Sequence, residues 1–252
     1  HPMKKTAFLF AATALFAATP ALAQSGGYVG LTVGNYDDYD ADIVQLDGAF
    51  GGVSGSLGYQ IDAGYADVDD SADTQSIAGH FYWNGGGWRL GAVAAHTVLN
   101  PDGAGDVTET VYGAEGSWNL GANTVVLGSY TVGEVDFTLD LDTWNADIGL
   151  NHYVSNNFRV GASLGTGNYD GGVLGEFDAN TYRVNAEWQP WATPVSFALG
   201  YNSFQADSGA SFDSDTLSLG VRWNWGGSLR DRDNATPFDT RTGLFQRIYD
   251  IR

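Results

Sequence analysis

The chain has 252 residues, a formal net charge of −19 and no cysteine. Both lysines fall in the first five residues, and only four arginines accompany 26 acidic residues between Gln24 and Trp225, so no basic nucleic-acid surface is available. The missing thiols exclude a disulfide framework, a thiolate metal site and a lipid anchor on an N-terminal cysteine.

The chain opens with an export pattern. Lys4 and Lys5 form a positive start, Ala7–Leu15 is a mostly apolar run, and Ala21-Leu22-Ala23 has small residues spaced for cleavage. The apolar run is too short to span a bilayer. Residues 1–23 are therefore expected to be a secretory signal, with His1 and Pro2 preceding the initiator Met3 and the mature chain starting at Gln24. No later segment has the apolar length of a transmembrane helix.

From Gly27 to Trp225, stretches of about ten residues alternate apolar and polar between Gly/Asn/Asp-rich turns. The pattern predicts twelve strands: 27–36, 41–51, 56–67, 74–84, 88–98, 108–119, 123–133, 141–154, 158–168, 178–189, 194–204 and 214–225. In the last, Leu217, Leu219, Val221, Trp223 and Trp225 share one face, and Thr216, Ser218, Gly220, Arg222 and Asn224 the other. A segment of this length suits a tilted strand crossing a bilayer.

Three features separate this pattern from a soluble sandwich. Short uncharged turns (51–55, 84–87, 119–123, 154–157, 189–194) alternate with longer acidic connections (35–42, 67–73, 100–109, 133–142, 167–178, 205–215). Aromatics gather beside the short turns (Trp83, Trp88, Trp118, Tyr153, Phe158, Trp188, Trp191, Trp223, Trp225), while Tyr36, Tyr65, Tyr130, Tyr169 and Phe204 stand near the longer loops. They are read as two interface girdles. The charges at Asp47, Asp62, Arg89, Glu115, Asp147, Arg159, Arg183, Glu187 and Arg222 all fall on the polar face, where a lipid-facing charge penalty is avoided. These nine are the expected pore-lining residues. The fold class expected is all-β: a transmembrane up-and-down antiparallel β-barrel of about twelve strands over 24–225.

The chain resembles Gram-negative outer-membrane β-barrels, most nearly small porin-like proteins. Ser218-Leu219-Gly220-Val221-Arg222-Trp223-Asn224-Trp225 is similar to the assembly signal of that class, carried by Ser218, Gly220, Trp223 and Trp225. In the class this strand usually ends the chain, whereas here 27 residues follow. The resemblance implies outer-membrane lipid and the barrel-assembly machinery as partners and no cofactor. Small residues at inward positions (Gly58, Gly161, Ser163, Gly200, Gly220) leave room for water, so a passive, modestly cation-selective channel for small polar solutes or ions is expected. A non-conducting structural or surface-recognition barrel is the alternative.

A barrel enzyme is the weaker alternative. His80, His96 and His152 fall on different predicted strands. The segment His152-Tyr153-Val154-Ser155-Asn156 is superficially similar to the His-x-Ser segment of outer-membrane phospholipases, but two residues separate His152 from Ser155. No nucleophile, base and orienting group come together in this register. Acidic loop clusters offer hard oxygens for weak divalent binding: Asp37, Asp38 and Asp40, then Asp67, Asp69 and Asp70. Asp136, Asp140 and Asp142, and Asp207, Asp213 and Asp215, repeat the theme. No loop has EF-hand spacing, and a solvated acidic rim explains them as well. Residues 226–252 are expected to form a periplasmic tail: a Gly226-Gly227 break, a polar stretch, and Leu244, Phe245, Ile248 and Ile251 at helical spacing, read as a short amphipathic helix in the periplasm, at the barrel mouth or on a partner, or equally as a frayed tail.

Overall fold

The computed structural model describes residues 24–37, 41–69, 71–136, 140–172, 175–190, 193–207, 211–239 and 241–252. The predicted signal segment 1–23 lies outside them, as do Asp38, Asp40, Asp70 and Trp191.

Alternating faces become strands β1 (Gln24–Tyr36), β2 (Ala41–Ser54), β3 (Leu57–Val68), β4 (Ala72–Asn84), β5 (Trp88–Pro101) and β6 (Val107–Leu120). They continue as β7 (Thr124–Asp136), β8 (Leu141–Ser155), β9 (Phe158–Asp170), β10 (Glu176–Trp188), β11 (Val195–Asp207) and β12 (Ser211–Trp225). Each pairs antiparallel with its sequence neighbour, and β1 pairs with β12 to close the barrel. The architecture is the predicted one: a closed, all-antiparallel, up-and-down barrel of twelve strands. The short turns on one rim use glycine where L side chains are strained, as at Gly55 (φ 63°) and Gly121 (φ 72°).

At the loop rim β4, β5, β7, β9, β10, β11 and β12 run two or three residues further than alternation predicts. The Asp/Asn-rich tips read as loop because those residues disfavour strands. Cross-strand amide–carboxylate bonds hold the tips paired instead: Asn100 Nδ2 donates to Asp73 (2.9 Å) and Asn168 Nδ2 to Asp178 (2.9 Å).

The outer surface is apolar. Leu31, Ile77, Phe81, Leu90, Leu219 and Val221 are exposed around the wall. Trp83, Trp88, Trp118, Trp188 and Trp223 are also exposed beside the short turns, at the place predicted for a girdle. The girdle reading fails for four aromatics. Tyr36, Tyr153, Tyr169 and Phe204 are buried inside, because each shares the inward phase of its strand and the interior supplies partners for it.

Those partners come from the chain's last residues, and this overturns their expected periplasmic position. Gly226 and Gly227 (φ 104° and 116°) turn the chain at the end of β12. Helix α1 (Leu229–Ala235) then fits against β1 and β2 just inside the turn rim. Phe238 lies between Val53 and Tyr82, and helix α2 (Leu244–Tyr249) packs at the loop rim among Ala72, Leu99, Val107, Val135, Tyr169 and Phe204. The chain then turns back, so that Ile251 meets Tyr36 and Ile43. The helical spacing of Leu244, Phe245 and Ile248 was legible, but the apolar surface it serves is the barrel's own interior.

Candidate functional site

The site is the charged interior of the barrel. Period-two alternation carries Asp47, Asp62, Arg89, Glu115, Arg159, Arg183, Glu187 and Arg222 inward, all less than 9% exposed, and Asp147 inward with its side chain 11% exposed. All nine predicted residues thus lie on the inner face. The structure does not gather them into a ring around open water. It distributes them among groups of the C-terminal segment.

Near the turn rim, Glu187 is the centre of a buried cluster. Its Oε1 accepts from Arg232 Nη1 (2.6 Å) and Ser196 Oγ (2.6 Å). Its Oε2 accepts from Arg222 Nη1 (2.7 Å), Arg232 Nη2 (3.0 Å) and Arg159 Nη2 (3.3 Å). Asp233 completes the arrangement, accepting from Arg159 Nη1 (3.0 Å), Tyr153 Oη (2.9 Å) and Arg232 Nη2 (2.6 Å). Gly30 makes the necessary room: a Cβ there would sit 2.8 Å from Arg222 Cγ and 3.4 Å from Asp47 Oδ1. Arg89 has no carboxylate partner among the described residues and donates to Asn234 Oδ1 (3.2 Å) of α1.

Halfway up, His80 lies between Glu115 (Nδ1–Oε1 2.8 Å) and Asp62 (Nε2–Oδ2 3.4 Å), with Phe238 stacked on its ring at 5.8 Å. Arg183 donates to the carbonyl of Asp239 (3.0 Å) and faces its carboxylate at 3.7 Å. Desolvation opposes the charge on Asp239, but Arg183, Arg252 and Arg159 outweigh it and hold the carboxyl below its ordinary range. Higher still, Arg247 pairs with Asp147 (2.6 Å). Glu109 on β6 accepts from the backbone N–H groups of Leu244 (2.7 Å) and Phe245 (3.1 Å). Helix α2 has no side-chain cap of its own, so a wall carboxylate meets its orphan donors.

Two cavities between wall and segment are about 20 Å³ each, room for a water but not for a solute. One is lined by Asp147, Arg183, Asn185, Asn202, Asp239 and Arg241, the other by Asp47, Asp62, Gln45, Ser76, Asp250 and Arg252.

The remaining predicted sites come out differently. Among the described residues, the acidic group whose oxygens approach one another is Glu134, Asp136 and Asp140. It is exposed, and it does not include Asp37, Asp67 or Asp69. The backbone N–H of Asp37 bonds to the carbonyl of Asp215, and Asp67 accepts from Tyr65 Oη (2.9 Å). Of the assembly-signal residues, Ser218 and Gly220 face inward, Trp223 projects outward, and the Trp225 ring lies against Gly27 of β1. His96 and His152 are exposed on the outer face, each bonded to a threonine (Thr110 and Thr124), and His80 is inside. Ser155 accepts from the N–H of Asn157 in its turn, so no histidine–serine pair forms there.

No protein-family model matches the chain, and no curated protein matches it in sequence. Solved structures do. The chain is similar to the COG4313 outer membrane channel from Pseudomonas putida F1, with 12% identity, 82% of this chain and 97% of that one covered, and a TM-score of 0.56. It is similar to the KdgM porin, with 9% identity, coverage of 78% and 98%, and a TM-score of 0.54. A loop-deleted form of OmpT, an outer membrane protein of Vibrio cholerae, matches with 10% identity, coverage of 80% and 98%, and a TM-score of 0.50. The fold is that of bacterial outer-membrane barrels. The apolar outer belt of this barrel fits it to that membrane, and closure leaves no strand edge in lipid.

Sequence reasoning missed Glu109, Tyr28 and Tyr153 on the wall, and Arg232, Asp233, Arg247 and Arg252 in the segment. For Glu109 a signal existed: it lies inside the predicted strand 108–119, in one phase with Val111 and Glu115.

Proposed function

We propose that this protein is a porin-like outer-membrane channel for small polar solutes or ions, non-enzymatic, and closed at rest by its own C-terminal segment. The observation that carries this reading is a wide polar barrel interior occupied by a segment that forms no strand ladder with the wall among the described residues. Side chains, caps and a backbone bond from Arg230 N–H to the Asn156 carbonyl hold it, so its release breaks no hydrogen bond of the strand ladder. With the segment out, the wall presents six inward carboxylates (Asp47, Asp62, Glu109, Glu115, Asp147, Glu187) against four guanidiniums (Arg89, Arg159, Arg183, Arg222). The excess, added to the acidic loop tips, favours cations.

The test is planar-bilayer recording of the full chain beside variants that loosen the segment and leave the wall charges in place, such as Arg232→Met with Arg247→Met. Stepwise conductance in the variants, with a reversal potential on the cation side at low salt, is expected. Anion preference would reject the charge assignment. Silence from every loosened variant would instead favour the second reading, a permanently closed structural barrel, which the completeness of the Glu187 cluster supports. Hydrolysis of phospholipid or peptide substrates that is lost on changing His80 would overturn the non-enzymatic reading.

A further inference from the structure

We infer that the C-terminal segment is a latch across the seam between the first and last strands, holding the barrel's closing pair shut from inside. The inference does not rest on the channel reading.

The seam is the shorter ladder. The β1–β12 register runs from Gly27↔Trp225 to Tyr36↔Thr216, ten pairs, whereas β1–β2 and β11–β12 each run through thirteen. At the turn rim, β1 residues Gln24–Gly26 continue past the last partner on β12, where Gly226 turns the chain inward. In lipid, an opened seam exposes backbone donors and acceptors that find no water.

The segment grips this ladder at successive heights. At the turn rim α1 covers the β1 residues that lack a β12 partner: a Cβ on Gly26 would meet Ala235 Cβ at 3.1 Å and Arg232 Cα at 3.4 Å. Above it, Arg232 holds both members of the register pair Tyr28↔Asn224. Its guanidinium lies 4.9 Å from the Tyr28 ring centroid, and its Nη1 donates to Asn224 Oδ1 at 2.7 Å. Arg222 of β12 lies at 4.8 Å from the same ring, so tyrosine of one strand sits between cations of the other strand and of the segment. Arg252 adds a hydrogen bond to Tyr28 Oη (3.2 Å). Towards the loop rim, Ile251 holds the pair Gly34↔Ser218. Its carbonyl accepts from Ser218 Oγ (2.8 Å), and its Cδ1 lies 3.0 Å from where a Cβ on Gly34 would stand. Two register pairs of one seam, six residues apart on β1, are thus each bridged by a single residue of the segment.

Site-resolved hydrogen exchange on the full chain in detergent micelles tests the latch. Arg232→Met removes the Tyr28 cation–π contact and the Asn224 hydrogen bond along with the ion pairs to Glu187 of β10 and Asp233, which should speed exchange of β1 and β12 amides by about tenfold, more than that of β10, while β5–β8 amides change little. Ile251→Ala, at the other end of the grip, should act on the same two strands and serves if the first variant assembles poorly. A disulfide between Val33→Cys and Leu219→Cys, register partners on the lipid face, should restore the original rates in either variant, since the chain has no other cysteine. Acceleration spread evenly around the barrel, acceleration confined to other strands, or failure of the disulfide to restore protection would each overturn the latch. Bilayer silence of the loosened channel variants would leave this result untouched.

Discussion

Replacing Glu187 with Gln removes one negative charge and keeps the shape. The carboxylate is 1% exposed and receives three guanidiniums and a hydroxyl. Around it stand Arg159, Arg222 and Arg232 against Glu187 and Asp233, so the change raises the local charge from +1 to +2 in a place water does not reach. The new amide also turns a donor toward guanidiniums, which can only donate. Removing one partner of a buried ion pair typically costs about 3–5 kcal/mol, because the remaining charge stays buried without compensation. Reversible urea unfolding in micelles, followed by tryptophan fluorescence, reads this as a lower midpoint at unchanged slope. The double variant Glu187→Gln/Arg232→Met removes a stranded cation as well, and should be less destabilised than the sum of the single changes by about 1–3 kcal/mol. A loss below about 1 kcal/mol for Glu187→Gln, or strict additivity in the double variant, would refute the reasoning and make the cluster incidental to stability.

Three further outcomes follow from the same arrangement. Asp239 has a lowered pKa, so its stabilisation is fully present above the ordinary aspartate value of about 3.9 and is lost as pH falls through the lower folded value. The difference in urea midpoint between wild type and Asp239→Asn should therefore stay flat from pH 8 to 5 and close only in stronger acid; a step near neutral pH would contradict it. Trp225→Asp should reduce the yield of heat-modifiable barrel on gels, because it removes the ring that covers Gly27 at the closing pair and an element of the assembly signal; unchanged yield would show that this strand is not read as the terminus. Cation preference of an opened channel should weaken as salt rises, since exposed rim charges are screened within about 8–10 Å near physiological ionic strength; a salt-independent ratio would place selectivity in the buried wall instead.

How far the sequence reached is set by what alternation can encode. A strand's phase decides which side each residue faces, and one inward or outward assignment fixes the next several. Hence strand number, closure order and the inward phase of Arg89, Glu115, Asp147 and Glu187 were all legible before any coordinates. Tyr36 shows where the reading slipped. Its phase with Tyr28 and Thr32 points inward, whereas its place beside a loop suggests lipid contact, and phase prevails.

The segment's location was hidden for a different reason. Amphipathic spacing in Leu244, Phe245, Ile248 and Ile251 says that one face wants an apolar partner, and a periplasmic surface satisfies that as well as a barrel wall. The discriminating signal was charge together with room. The wall carries more inward carboxylates than guanidiniums, small residues such as Gly30, Gly161 and Gly165 hollow out its inner face, and five arginines gather in the last 27 residues. Each part alone has a bland explanation: small residues make space for water, wall acids favour cations, a basic tail is merely basic. Taken together they describe a polar cavity with too few cations and, on the same chain, a segment rich in arginine that begins at its mouth. Arg232 on Glu187 and Arg247 on Asp147 are that complementarity realised, and a buried Arg–carboxylate pair requires both members to lose water at once. The same demand places the segment after the wall: its cations have no low-cost place in the interior until Glu187 on β10 and Asp147 on β8 both project into a closed barrel.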